Sequence, residues 1–73
     1  MGRIRINLLE VLASRRLKMS DLHRATGIPY SNINNIGNEK VKRIDLTTIA
    51  RICEALECTP GDLLVYVPDE AGS

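Results

Sequence analysis

The 73-residue sequence has almost no aromatic side chains: it lacks tryptophan and phenylalanine, and its two tyrosines are Tyr30 and Tyr66. Because 44% of the residues are still hydrophobic, intrinsic disorder is disfavoured and the core is expected to be aliphatic. A chain of this length has room for one core. We therefore expect a single domain over residues 1–73, which excludes a two-domain enzyme and a βαβ nucleotide-binding fold.

Histidine and cysteine are also scarce. His23 is the one histidine, and Cys53 and Cys58 are the two cysteines, so no four-ligand metal site can be assembled from them. No nucleophile and base stand in a catalytic arrangement. We therefore expect no cofactor, no metal and no enzyme activity. Cys53 is expected in the core and His23 in a structural role, with a redox or metal role as the alternative for the thiols.

Long hydrophobic runs are absent, since none approaches the roughly 20 residues that a membrane helix needs. The N-terminal segment has basic residues but no apolar run ending in a small-residue cleavage site, so it does not match a secretory signal. We expect a cytoplasmic protein with no membrane partner and no small-molecule ligand.

The formal net charge of +1 conceals a gradient along the chain. Residues 1–51 contain all ten lysines and arginines against four acidic residues, a net charge of +6. Residues 52–73 contain five acidic residues and no basic ones, a net charge of −5. The first part is expected to attract anions and the second to avoid them.

Apolar spacing and capping residues predict five helices, at about 7–16, 18–26, 29–37, 45–56 and from 59 onward. Asn7, Asp45 and Thr59 are suitable N-caps, Gly27 is a suitable left-handed stop, and Pro29 suits a first helical turn. Apolar residues at helical spacing predict the buried face of the fourth helix: Leu46, Ile49, Ile52, Cys53 and Leu56.

Two short segments, 3–6 and 64–67, have the β-branched, alternating character of strands. Isolated strands leave backbone groups unpaired, so these two are expected to pair, either within one chain or between two. The tail from 69 to 73 is expected to be frayed. The predicted fold class is all-α, with five helices and a short antiparallel β pairing of the terminal segments.

The segment from about 18 to 37 has the pattern of a helix-turn-helix. Two short helices flank Gly27, and apolar residues lie at Leu22, Ile28, Ile33 and Ile36. In such a motif the first helix braces the second, whose polar side can then enter a major groove. Many helical hairpins share this pattern, so by itself it indicates the motif only moderately well.

A longer set of residues resembles the Xre/Cro/lambda-repressor family of helix-turn-helix proteins over residues 3–70. The motifs that carry the resemblance are Leu22-x-x-x-Thr26-Gly27-Ile28, Ile33-x-x-Ile36, Arg43-Ile44-Asp45-Leu46, and Ile52-Cys53-x-Ala55-Leu56-x-Cys58-x-Pro60-Gly61-Asp62-Leu63-Leu64. The resemblance implies a five-helix, lambda-repressor-like DNA-binding fold. It also implies a transcription regulator encoded by a bacterium, phage or plasmid and commonly acting as a homodimer.

By position, the resemblance makes the third helix the recognition helix. The residues it assigns to base readout are Tyr30, Ser31, Asn32, Asn34 and Asn35. The residues it assigns to the DNA backbone are Arg15, Arg16, Lys18, Asn38, Lys40, Lys42 and Arg43. The sequence departs from the family at Lys18, where a Ser or Thr cap is usual, at Met19, where Gln is usual, and at His23, where Ala is usual.

We therefore expect a sequence-specific regulator, a repressor, that binds double-stranded DNA as a homodimer. The alternative is a protein-interaction module, such as an antitoxin-like or adaptor domain, that keeps the fold without reading DNA. The two hypotheses differ in where the cations lie. Cations around the Tyr30–Asn35 face favour DNA binding, whereas cations scattered over the molecule favour the interaction module.

Overall fold

The computed structural model describes residues 2–69 and confirms the predicted architecture within them. The predicted frayed tail, apart from Asp69, lies outside the described residues. In chain order the elements are β1 (Arg3–Ile6), α1 (Leu8–Ser14), α2 (Met19–Thr26), α3 (Tyr30–Gly37), α4 (Leu46–Leu56), α5 (Pro60–Leu63) and β2 (Leu64–Val67). None of the helices in this part of the chain has the length and apolar character needed to cross a bilayer.

The core is aliphatic, as the composition predicts. Its most deeply buried side chains come from all five helices: Leu8, Leu22, Ile33, Ile52 and Leu63. The predicted apolar face of α4 is correct for Ile49, Ile52 and Leu56 but wrong for Leu46, which is 86% exposed. Leu46 is the first residue of α4. It has the spacing of the buried face, but at this end of the helix that face does not lie against the core.

The two terminal segments pair with each other within one chain, which answers the question that the sequence left open. They form an antiparallel two-stranded sheet in which Arg3 lies opposite Val67 and Ile6 opposite Leu64. The backbone N–H of Asn7 extends the pairing by donating to the Leu63 carbonyl oxygen at 2.7 Å. The start of α1 is therefore fixed to the end of α5.

The turn between α2 and α3 depends on Gly27 and His23. Gly27 has a φ of +76° and its N–H donates to the His23 carbonyl oxygen at 2.8 Å, the left-handed stop predicted from the sequence. The His23 Nδ1–H donates to the carbonyl oxygen of Ile28 across this turn. His23, predicted to be structural, thus ties α2 to the segment that leads into α3.

Several helix ends differ from those predicted. Helix α1 stops at Ser14, before Arg16, and Asn7 precedes it without a capping hydrogen bond from its side chain. Asp45 likewise makes no side-chain cap, and Pro29 lies just before α3. Asp45 has the extended backbone conformation of an N-cap, whereas Asn7, with φ of −91° and ψ of 31°, does not. A suitable residue type at the start of a helix predicts an N-cap, but it does not guarantee that the side chain forms the capping hydrogen bond.

Candidate nucleic-acid interface

The outward face of α3 carries polar residues that no other element covers. Ile33, Ile36 and Gly37 face the core, which leaves Ser31 and Asn35, four residues apart, side by side on the opposite face. Both are exposed. Tyr30 and Asn32, also exposed, lie in the first turn on the flanks of this face. The face therefore presents hydroxyl and amide groups, which can donate and accept hydrogen bonds and carry no charge.

Asn34 and Asn38 form a local pair at the end of α3. The Asn38 Nδ2 donates to the Asn34 backbone oxygen at 2.8 Å and to its Oδ1 at 3.0 Å. Asn34 is half-buried, and its amide oxygen already accepts within the protein. Among the predicted readout residues, Asn34 is therefore the one whose side chain holds the end of the helix.

A groove separates α3 from the first turn of α4. It has a volume of about 360 Å³ and is lined by Asn32 and Asn35 on one side and by Arg43 and Thr48 on the other. Arg43 thus lies beside the polar face of α3. Thr48 was not predicted from the sequence, because it is one of two adjacent threonines in a helix and only the fold shows which of them faces α3.

The other predicted backbone contacts near α3 are exposed lysines. Lys40 follows the helix directly, and its N–H donates to the Asn35 carbonyl oxygen at 2.8 Å. Lys42 comes two residues later in the same loop, next to Arg43. Lys18 precedes Met19, whose sulfur would lie 3.6 Å from a methyl group on Gly37. Lysines from two segments of the chain are therefore brought to the C-terminal end of α3.

Arg15 is placed differently from its predicted role. Its Nε donates to the Leu56 carbonyl oxygen at 2.6 Å and its Nη2 to the Glu57 carbonyl oxygen at 3.4 Å. These carbonyls lie at the C-terminal end of α4, roughly 15 Å along the helix from the turn that lines the groove. The guanidinium satisfies carbonyls that the helix leaves unpaired. We therefore leave Arg15 out of the interface proposed below, while Arg16, which is exposed, remains in it.

The first turn of α2 keeps a negative charge close to these cations. The Lys18 N–H donates to Asp21 Oδ2 at 2.9 Å, and Arg24 forms an ion pair with Asp21. The hydrogen bond from the Lys18 backbone, followed by that from Arg24, holds the Asp21 pKa below its usual value. Asp21 therefore compensates Arg24, and this arginine is less available to a phosphate than the loop lysines are.

Glu39 is another residue whose role the sequence did not indicate. It follows α3 in a left-handed conformation, with φ of +58°, and its Oε1 accepts from the Ile6 N–H at 2.9 Å. Its Oε2 lies 3.7 Å from Arg5 Nη2. Glu39 thus connects the loop after α3 to strand β1.

The two cysteines lie apart from this surface. Cys53 and Cys58 are free, half-buried thiols that pack against the hydrophobic core, as expected for Cys53. The Cys58 N–H donates to the Cys53 carbonyl oxygen at 3.0 Å, which closes the turn after α4. Burial, followed by the neighbouring Cys53, raises the pKa of the Cys58 thiol. The Cys58 thiol is therefore kept protonated.

A short helix braced by another across a glycine turn, with an exposed polar face and cations beside it, defines a helix-turn-helix DNA-binding domain. The chain belongs to the Cro/C1-type HTH DNA-binding domain family, whose model matches residues 7–69. It is 43% identical to an uncharacterized HTH-type transcriptional regulator of Bacillus subtilis (strain 168), YozG, over 65 residues, 89% of this chain and 77% of that protein. It also resembles the crystal structure of the transcriptional regulator VanUg, with a TM-score of 0.73 and 32% identity over 93% of this chain and 89% of that one.

These comparisons confirm the resemblance to the Xre/Cro family and the lambda-repressor-like fold. The protein is a helix-turn-helix transcriptional regulator.

Proposed function

We propose that the protein represses transcription by binding a specific double-stranded DNA sequence as a homodimer, with α3 in the major groove. The observation that carries this proposal is the groove where Asn32 and Asn35 face Arg43. Amide side chains read base edges, above all adenine, whereas guanidinium groups bind phosphates. A base-reading face beside a phosphate-binding residue is what a helix needs to be held in a groove.

Within this proposal the polar residues have unequal roles. Ser31 and Asn35 lie at the centre of the exposed face and read bases, with Tyr30 and Asn32 at its margins. Asn34 acts by holding Asn38, and Asn38 contacts the backbone where α3 ends. The cations that bind phosphates are Arg16, Lys18, Lys40, Lys42 and Arg43.

Repression follows from occupancy alone, because a protein bound over a promoter excludes other proteins from it. The place of action is then the compartment that contains the DNA, the cytoplasm of a bacterial cell. The uncharged face of α3 has no arginine to bind guanine, so we expect an operator rich in A·T pairs under Ser31 and Asn35.

The experiment is selection from a pool of random duplexes, followed by binding to the selected sequence over a series of salt concentrations. Asn35→Ala should cost about 1–3 kcal/mol and relax the preference at one base pair. Lys42→Ala is the matched comparison. It should weaken all sequences alike and reduce the slope of log K against log salt by about 1.

If no sequence is enriched and binding at moderate salt stays at the non-specific level, the protein does not read DNA, and the interaction module is the better reading. A sequence-selective effect of Lys42→Ala would show that this residue, too, contacts bases.

A further inference from the structure

The turn between α4 and α5 brings the two cysteines together. In a continuing α-helix, residues five apart are separated by about 7.5 Å along the axis alone, which is too far for a disulfide. Glu57 ends α4 with a left-handed φ of 51°, and the chain turns back so that the Cys58 N–H donates to the Cys53 carbonyl oxygen at 3.0 Å. Opposed residues with such a backbone hydrogen bond have Cα atoms about 5.5 Å apart in a sheet, inside the range of about 4.4–6.8 Å that a disulfide spans.

The side chains of the two cysteines meet as their backbones do. At a helix end of this kind, the residues at these two positions commonly contact each other. Both thiols are half-buried and pack against the same hydrophobic core. Burial raises the pKa of the Cys58 thiol, and Cys53 raises it further through its charge and through a hydrogen bond between the two side chains. The two sulfur atoms are therefore neighbours, and both remain partly open to solvent.

The turn that carries the thiols is fixed on both flanks. On one side, Arg15 donates to the carbonyl oxygens of Leu56 and Glu57, at 2.6 and 3.4 Å. On the other, the Thr59 N–H donates to Asp62 Oδ2 at 2.9 Å, which fixes the start of α5. The folded chain thus holds the two thiols close to each other. Each thiol therefore meets the other at a high effective concentration, which favours a bond between them.

The composition of this cluster points to redox chemistry. A structural zinc site has four protein ligands. Within residues 2–69, the cysteines do not belong to any group of three or more His, Cys, Asp or Glu side chains that could hold a metal ion. Two neighbouring thiols alone are the arrangement that a disulfide oxidant converts into an internal disulfide.

We propose that Cys53 and Cys58 form a redox-modification site, which a small-molecule disulfide such as glutathione disulfide oxidises to an intramolecular bond. The thiolate of one cysteine attacks a sulfur of the oxidant and releases one glutathione, leaving a mixed disulfide. The other cysteine loses its proton, attacks the protein sulfur of the mixed disulfide and releases the second glutathione. The two protein thiols lose two hydrogens in total, and one glutathione disulfide becomes two molecules of glutathione.

The bond stabilises the fold and leaves the DNA-reading surface unchanged. A cross-link stabilises a protein mainly by restricting its unfolded chain, and here the backbone of the turn already has the bridged arrangement. The pair lies at the C-terminal end of α4, whereas the groove beside α3 is lined by the first turn of that helix. A reducing compartment keeps the thiols free, so the bond forms when the oxidant accumulates.

The test is to equilibrate the wild-type chain in mixtures of reduced and oxidised glutathione, stop the exchange with acid and weigh the products by mass spectrometry. The internal disulfide, lighter than the reduced chain by two hydrogens, should outnumber chains carrying glutathione at least tenfold. Cys53→Ser and Cys58→Ser are the matched controls. Each keeps one thiol and should stop at the glutathione adduct. Because burial keeps Cys58 protonated and exchange slow, equilibrium is approached from both the oxidised and the reduced chain.

A second measurement is thermal unfolding of the oxidised and reduced chain. Oxidation should raise the unfolding temperature of the wild-type chain by about 5–10 °C. The double variant Cys53→Ser/Cys58→Ser should unfold at the same temperature in both buffers. The proposal is wrong if the wild-type chain stops at glutathione adducts, if the bond joins two chains, or if oxidation lowers the unfolding temperature.

This inference goes beyond the proposed function and does not depend on it, since neither measurement involves DNA. A chain that forms the internal bond but enriches no sequence in duplex selection keeps the redox site and loses the DNA-reading role. A chain that enriches a sequence and stops at glutathione adducts keeps the DNA-reading role and loses the redox site.

Discussion

The charge of Arg15 suggests a contact with the DNA backbone, but its side chain forms hydrogen bonds within the protein. It belongs to a run of cations with Arg16 and Lys18, and sequence position alone treats the three alike. In the structure its guanidinium instead binds the carbonyls of Leu56 and Glu57, where the negative end of the α4 dipole also favours a cation. The side chain connects the end of α1 to the end of α4 and contributes to stability.

Arg15→Ala should lower the free energy of unfolding by about 1–2 kcal/mol, because a charged donor is removed from partly buried carbonyls. Arg16→Ala removes the same charge next to it and should change stability by less than about 0.5 kcal/mol. Urea unfolding of both variants measures the difference. Equal effects would mean that the hydrogen bonds of Arg15 contribute nothing beyond its charge.

Several helices in the described part of the chain are followed by a residue in the left-handed conformation, and only one of these residues is a glycine. Gly27 ends α2 in this conformation, but Arg16, Glu39 and Glu57 also have positive φ values, of 56°, 58° and 51°. A residue with a Cβ is strained there, whereas glycine is not. The sequence revealed only the glycine, because charged residues carry no signal for a left-handed turn.

Two substitutions at these positions should act in opposite directions. Glu57→Gly should raise the free energy of unfolding by about 0.5–1 kcal/mol, because relief of strain exceeds the added chain entropy. Gly27→Ala should lower it by about 1 kcal/mol, although no atom within 4 Å would clash with the new methyl group. Thermal or urea unfolding checks both. A neutral Gly27→Ala would show that the turn relaxes to another conformation.

Most of the elements could be predicted because each depends on a local signal. Apolar spacing located α4, Gly27 located the end of α2, and alternation located both strands. The antiparallel pairing of the two strands was also predicted, but the sequence left open whether it forms within one chain or between two. That choice, the exposure of Leu46 and the contact between Glu39 and Ile6 could not be predicted, since each depends on residues distant in sequence. In the candidate interface, the polar face of α3 could be predicted from helical spacing. The groove between α3 and Thr48 could not, because it depends on how the helices pack.

At the scale of the whole molecule, the charge gradient along the sequence can be followed along helix α4 in the structure. Helix α4 runs from the groove beside Arg43 to the turn at Glu57, and Glu54 and Asp62 are exposed near that far end. The acidic residues Glu54 and Asp62 thus lie at the end of α4 away from α3, whereas Asp45 lines the groove beside α3. A net charge near zero is compatible with DNA binding because part of the acidic charge is separated from the cations near α3.

A two-fold dimer sets the geometry of the operator. Its recognition helices would enter major grooves about 34 Å apart, so the half-sites should be centred about 10 base pairs apart. Inserting about 5 base pairs between them turns one half-site to the opposite side of the DNA. Affinity should then fall at least tenfold, toward that of a single half-site, in a gel-shift titration. An unchanged affinity would mean that each monomer binds independently.

The antiparallel pairing of the first and last strands also governs how the chain reaches this fold. Position 3 meets position 67, so forming the sheet closes almost the entire chain into a loop, while the helices need only neighbouring residues. Loop closure has an entropic cost that rises with the number of residues enclosed. The helical body should therefore assemble first and the sheet last. A circular permutant that joins β2 to β1 by a short turn would make this pairing local, and would fold faster with the same native contacts.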